Sequence, residues 1–323
     1  MAGAGDTVSA ASWVSLVKEY LSIRRGLGFA LTTPAWLLRD FARYAEAVDH
    51  QGPLTTELAV RWAQASRSGT RAQAIRRVSA VRQFALHRAL VDPATEVPPP
   101  GVLGRLPGRP QPHIYSDTEL AALLEQASLL RSPRGLRART YVTFFALLDA
   151  TGLRLSEGCR LEIEDVDLEA GVLTVRQGKY RKSRLVPLHP STTAALAAYA
   201  AEREACCPGP GRFFRTEHSP ALTNDTVEKT FGQIRRRLGW TADGRARRPR
   251  IMDLRHSFAV RRLLGWYQQE RADLNRKLLA LSVYLGHAHV SDSYWYLTGV
   301  PELMAIAAER FERFTNDQQG DAL

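Results

Sequence analysis

The sequence predicts a mainly α protein with one small antiparallel sheet, an α+β chain built as a helical first unit and a larger second unit. Three observations carry this. Apolar residues recur at helical spacing along most of the chain. Alternation with a period of two occurs only around residues 172–188. A Pro/Gly-rich stretch, VPPPGVLGRLPGRPQP at 97–112, divides two segments that each have their own apolar positions. A length of 323 residues suits two ordinary domains.

The first unit, 1–96, reads as four helices. Residues 8–25 place Trp13, Leu16, Val17, Tyr20 and Leu21 at helical spacing, and 34–48 repeat the pattern with Trp36, Leu37, Phe41 and Tyr44. Residues 55–65 and 72–90 give the other two. In the last, Ile75, Val78, Val81 and Phe84 form an apolar stripe beside Arg76, Arg77 and Arg82. That basic face is either solvated or laid along a phosphate backbone. Residues 97–114 read as an extended, semi-rigid linker.

The second unit, 115–323, opens with SDTE at Ser116, the pattern of a capping box. Residues 136–149 form a buried helix that Gly152 ends. Residues 172–177 and 184–188 read as two strands with GKYRKS turning between them. Helices follow at 192–204, 224–238, 253–268, 273–284 and 301–314.

The charge narrows the function. A net +11 and a pI near 9.9 call for a polyanionic partner, and nucleic acid is the commonest. Only five of the 44 basic residues are lysines: Lys18, Lys179, Lys182, Lys229 and Lys277. Where arginine would serve for charge, a lysine can be retained because it can lose its proton. No run of about 18 apolar residues calls for a membrane span, and the first 20 residues lack the basic start and apolar block of a signal peptide. Cys159, Cys206 and Cys207 have no metal-ligand spacing, and the adjacent pair is ill suited to a disulfide, so a reducing cytoplasm is expected.

Four separated motifs would each act on a phosphate. In TGLRLSE, Arg154 projects from a turn after a helix-ending glycine, where its planar fork can meet two phosphate oxygens, and Glu157 can orient it. In QGKYRKSRLVPL, Lys179 and Lys182 stand at a hairpin tip and can protonate a leaving oxygen. In RIMDLRHSFAVRRLL, Asp253 can cap a helix whose first turn carries Arg255 and His256. In GHAHVSDSYWYLTG, His287 precedes Tyr294 and Tyr296. Singly these are surface ion pairs, a charged turn and core aromatics. Together they are the parts for attack on a phosphodiester without metal: a tyrosine nucleophile, two arginines on the non-bridging oxygens, a lysine acid and a histidine. No carboxylate cluster suited to Mg²⁺ stands out, so neither a metal nor a cofactor is expected.

In this order and spacing TGLRLSE, the QGK hairpin, DLRHSFA, YLGH and the Tyr296 segment resemble the tyrosine recombinase, or phage integrase, family. The resemblance covers roughly residues 116–314, and the first unit resembles that family's core-binding domain. It implies a catalytic domain that closes with the core-binding domain as a C-shaped clamp on duplex DNA. It also implies cleavage through a 3′-phosphotyrosine, strand exchange through a Holliday junction, and no need for metal or ATP. By position, it implies Arg154 and Arg255 as the arginine pair, Lys179 as general acid, Glu157 as supporting acid, His287 as the later histidine and Tyr296 as nucleophile. The family's nine-residue gap from histidine to tyrosine selects Tyr296 over Tyr294. YWYLTGVPEL further resembles the branch encoded by transposons that carry several recombinases.

One position departs. The family usually has a histidine three residues before the second arginine, and here that residue is Met252, whose thioether moves no proton. Either the loss is tolerated at reduced rate, or His256 covers part of the role, or the chain is a silent DNA-binding paralogue beside an active partner. Retention of every other catalytic position favours tolerated loss. A type IB topoisomerase shares the tyrosine chemistry, but the compact first unit and short chain favour a recombinase.

DNA contacts are expected from RRRLGWTADGRARRPR, with Arg235, Arg236, Arg245, Arg247 and Arg248, and from Arg181, Lys182 and Arg184 on the hairpin. Arg76, Arg77 and Arg82 would close the other side. The helix at 301–314 carries Leu303, Met304, Ile306, Ala307 and Phe311, and is expected to dock on a neighbouring protomer. A homo-tetramer on two DNA sites follows, open to other recombinases of the same element.

Overall fold

Hydroxyl side chains open three of the four helices of the first unit. In the computed structural model, which describes residues 12–66, 69–106, 108, 111–176, 183–241, 248–268, 273–287 and 289, Ser12, Thr55 and Thr70 each accept the backbone N–H three residues on. They start α1 (Trp13–Gly26), α3 (Thr56–Gln64) and α4 (Arg71–Arg88). α2 (Thr32–Ala47) lies between. The core of this unit is aromatic. Phe41 meets Trp13 and Trp62 edge-on, at ring separations of 5.8 and 5.3 Å, and Val81 and Phe84 of α4 are buried with them.

Two expectations for this unit need correction. The stretch read as an extended, semi-rigid linker belongs in its first part to the unit itself. Val97 and Leu103 pack on the core, Arg82 donates to the Pro98 carbonyl, and Arg71 donates to that of Leu103 at 3.0 Å. The chain separates into its two units after Arg109. The basic face of α4 is also not uniform. Arg77 lies over the Trp62 ring at 3.9 Å and donates to Asp40 at 3.1 Å, so its charge is spent inside the unit. Arg82 is occupied by the Pro98 carbonyl, whereas Arg76 is exposed.

In the second unit the Ser116–Glu119 capping box starts α5 (Asp117–Ser128) as expected. α6 (Leu136–Thr151) is buried on nearly every side, which is why it lacks an amphipathic stripe. Phe144 and Phe145 anchor it against Phe214 and Phe231. A short α7 (Leu155–Gly158) and a 3₁₀ turn lead into the sheet β1 (Val166–Asp167), β2 (Val172–Val175) and β3 (Arg184–Pro187), antiparallel in that order. Val175 pairs with Arg184 and Val172 with Pro187. β1 is two residues long, too short to show a period, and was not foreseen from sequence.

The remaining helices are α8 (Pro190–Cys206), α9 (Asn224–Arg237), α10 (Met252–Tyr267) and α11 (Leu274–Leu285). α10 runs through the core and packs on α6 and α11. Asp253 is not its cap, as the sequence suggested, but its second residue. The buried Asp253 carboxylate accepts the Arg250 amide at 2.8 Å and the Arg250 guanidinium at 2.7 Å. One turn later Ser257 donates to the Asp253 carbonyl at 2.9 Å and accepts the Tyr115 amide at 2.8 Å, which pins the entry to α5 onto α10.

Candidate active site

The site grows from the end of α6. Gly152 stops that helix in the left-handed region at φ +63°, and a Cβ there would lie 2.6 Å from Phe258 of α10. Only glycine lets the chain turn this close to α10. Two residues later Arg154 caps α7. Its amide donates to Glu157 Oε2 at 2.9 Å and its Nη1 to Oε1 at 2.7 Å. Its Nη2 reaches the Gly286 carbonyl beyond α11 at 2.9 Å.

Arg184 enters from β3. Its Nη1 and Nη2 take both oxygens of Glu157, at 3.0 and 2.9 Å, and its Nε donates to the Tyr284 carbonyl at 2.7 Å. Arg255 enters from α10, donating to the Gly152 carbonyl at 2.6 Å and to that of Leu285 at 2.7 Å. The carbonyls at a helix C-terminus have no partner within the helix. At the end of α11 three consecutive ones, Tyr284, Leu285 and Gly286, are each taken by a different arginine. Gly286 then turns left-handed, and His287 follows, half-buried, its amide held by the Ser282 carbonyl at 2.9 Å.

Glu157 is buried, which pushes its carboxyl up, but the hydrogen bonds and charges of Arg184 and then Arg154 outweigh burial and hold it at about 2. It is an anion that braces two cations. The Arg154 side chain stays 18% exposed, while Arg255 is only 4% exposed. His256 is buried on α10, and Met252 is 40% exposed one helical turn before Arg255.

Among the sequence-expected site residues, Arg154, Glu157, Arg255 and His287 converge at the end of α11, and His256 lies on the same helix as Arg255. Lys179, Tyr294 and Tyr296 lie outside the described residues, as do Arg181, Lys182, Arg245, Arg247 and the helix expected at 301–314. Of the expected DNA contacts, Arg236 and Arg248 are exposed, and Arg235 is half-buried, donating to the Pro249 carbonyl at 3.2 Å. Arg184 requires correction: it is bound to Glu157 and Tyr284 rather than offered to solvent. Along β3, residues 184 and 186 share a face, and Val186 is fully buried while Leu185 is 66% exposed. Arg184 therefore points inward. Among the described residues, no group of three or more His, Cys, Asp or Glu could hold a metal ion, and no helix is long and apolar enough to cross a membrane.

Residues 116–299 match the phage integrase family model. The chain belongs to the phage integrase family. The family's other name, tyrosine recombinase, matches its relatives. A putative integrase/recombinase of Sinorhizobium fredii, y4rB, is 42% identical over 308 residues, covering 94% of this chain and 98% of that one. The tyrosine recombinase XerD of Caulobacter vibrioides is 32% identical over 234 residues, 70% of each chain. In fold, the chain resembles the Tn1549 transposon integrase in complex with transposon right end DNA, at TM-score 0.65 and 14% identity over 92% of this chain and 99% of that one. It also resembles the XerH recombinase bound to its palindromic difH substrate, at TM-score 0.62 and 22% identity, over 94% and 85%. The phage integrase fold is thus the mainly α architecture with a small antiparallel sheet that the sequence predicted.

Proposed function

We propose that this chain is a site-specific recombinase of a mobile element, which cuts and rejoins duplex DNA through a 3′-phosphotyrosine on Tyr296. In this reading the Tyr296 oxygen attacks phosphorus, and Arg154 and Arg255 stabilise the charge gathering on the non-bridging oxygens. Lys179 gives its proton to the departing 5′-oxygen, and His287 assists. The resulting ester conserves the energy of the broken bond, so rejoining by a 5′-hydroxyl needs neither ATP nor a metal. Four protomers on two sites would exchange strands through a Holliday junction, in the cytoplasm, with Arg76, Arg236 and Arg248 among the phosphate contacts. The observation that carries the reading is the gathering of Arg154, Arg255 and His287 at the end of α11, with Arg154 braced by the buried Glu157 carboxylate.

The test uses nicked suicide duplexes of a sequence that the protein enriches from a random pool. Wild type should leave an SDS-resistant protein–DNA adduct that Tyr296→Phe abolishes and Tyr294→Phe keeps. A second reading rests on Met252, exposed at the start of α10 where the family usually carries a histidine. If wild type forms no adduct and Met252→His does, the chain is a silenced paralogue that binds DNA beside an active partner. Absence of an adduct from both wild type and Met252→His would defeat the cleavage reading.

A further inference from the structure

We infer that Arg184 is a positioning residue for strand cleavage: it holds Glu157 by both carboxylate oxygens, and Glu157 in turn aims the Arg154 fork. The inference deepens the proposed cleavage reaction and rests on it. Three features of the geometry carry it. First, Arg184 reaches each of the two oxygens that Arg154 uses. Oε1 receives Nη1 of both arginines, and Oε2 receives the Arg154 amide and Arg184 Nη2. Both carboxylate oxygens are thereby held from β3 as well as from Glu157's own turn. Second, the remaining Arg184 nitrogen, Nε, holds the Tyr284 carbonyl, two residues before the Gly286 carbonyl that Arg154 itself holds. One side chain therefore ties β3, α7 and the end of α11 into a single register. Third, a Cβ at Gly286 would lie 2.9 Å from Arg184 Nη1, so the residue before His287 is shaped around this guanidinium.

A phosphate contact would need Arg184 to turn outward. Its side chain is only 12% exposed, and leaving would strand Glu157, which is 2% exposed, with one partner fewer. Lysine could not replace it, because an ammonium lacks the planar fork that meets two oxygens. The charged groups set against the carboxylate are Arg184 from β3 and Arg154 on its own turn. Without Arg184 the opposing effect of burial would lift the Glu157 carboxyl, and protonation would release Arg154.

The experiment measures single-turnover adduct formation at saturating protein on the same nicked duplexes, beside DNA affinity and its salt dependence. Arg184→Gln should slow adduct formation by about 100-fold, the scale of a misplaced reacting group. The dissociation constant should stay within about twofold, because an arginine engaged inside the protein releases no counterion from DNA. The rate of Arg184→Gln should fall more steeply with acid than the wild-type rate, since burial then lifts the Glu157 carboxyl. Arg184→Lys should fail to rescue, and it carries the same test if Arg184→Gln does not fold. Adding Glu157→Gln to Arg184→Gln should cost little more, since the two act as one unit. An Arg184→Gln rate equal to wild type, or losses that multiply in the double variant, would overturn the inference. So would weaker binding with a log–log salt slope shallower by about 0.9, which marks a phosphate contact. A wild type that forms no adduct refutes the cleavage reaction itself, and the positioning role with it.

Discussion

Replacing Gly152 with alanine tests how tightly α10 is drawn against the end of α6. The perturbation is one methyl group. At φ +63° an L-residue pays roughly 1–2 kcal/mol for the left-handed backbone. The added Cβ would lie 2.6 Å from Cδ1 and 3.1 Å from Cγ of Phe258, and 3.1 Å from Leu285. Phe258 is buried and Leu285 fully so, so neither can swing away, and overpacking of this kind costs about 1–3 kcal/mol more. The expected loss is about 2–5 kcal/mol, read as a lower urea midpoint at unchanged slope. Gly239→Ala is the control. Its φ is +68°, close to that of Gly152, but a Cβ there meets nothing within 4 Å, so only the backbone cost applies. Gly152→Ala should also slow any chemistry at the site, because the Gly152 carbonyl holds Arg255. A Gly152→Ala protein no less stable than Gly239→Ala would refute the close approach.

Three further outcomes are expected. The Glu157 carboxyl falls from an ordinary 4.5 to about 2 on folding, which is worth about 3 kcal/mol above pH 5 and is lost as pH falls through 4.5 towards 2; in acid titrations of stability, Glu157→Gln should flatten that limb, and an unchanged limb would count against the arginine brace. Arg76→Ala should weaken DNA binding and flatten the salt slope by about 0.9, whereas Arg77→Ala should leave the slope alone and cost about 2 kcal/mol of stability through the lost Trp62 and Asp40 contacts, both read by titration and urea melts. On β3, Leu185→Lys should be nearly neutral by urea denaturation and Val186→Ala should cost about 2 kcal/mol, since the first side chain faces solvent and the second the core.

Much of this molecule could be read from its residues because local signals agreed with the fold. The capping box at Ser116, the glycine stop at 152 and the apolar stripes gave the helices within a few residues. Arg154, Glu157, Arg255 and His287 stood out because their residue types fit one chemistry. What failed to show was partnership across long separations. Arg77 and Arg82 look like surface charge on a helix, and only the fold reveals Asp40 and Trp62, or the Pro98 carbonyl, waiting for them. Asp253 looks like a cap because Asp is among the favoured capping residues, yet it folds back on Arg250 from inside the first turn. The Pro-rich stretch looks like a spacer by composition, but Val97 and Leu103 have a core to cover.

The end of α11 also sets the electrical balance of the site. Three guanidinium groups meet there, and arginine keeps its proton at any pH a folded protein survives. Against them stand one carboxylate and a helix terminus equivalent to roughly half a negative charge. The sum for these groups is about one and a half positive charges, and it does not titrate until Glu157 does, near 2. A single phosphodiester anion would bring the cluster close to neutrality. The pull of this corner on such an anion is therefore constant across the physiological range, and any acidity dependence of the chemistry must come from groups other than the arginines.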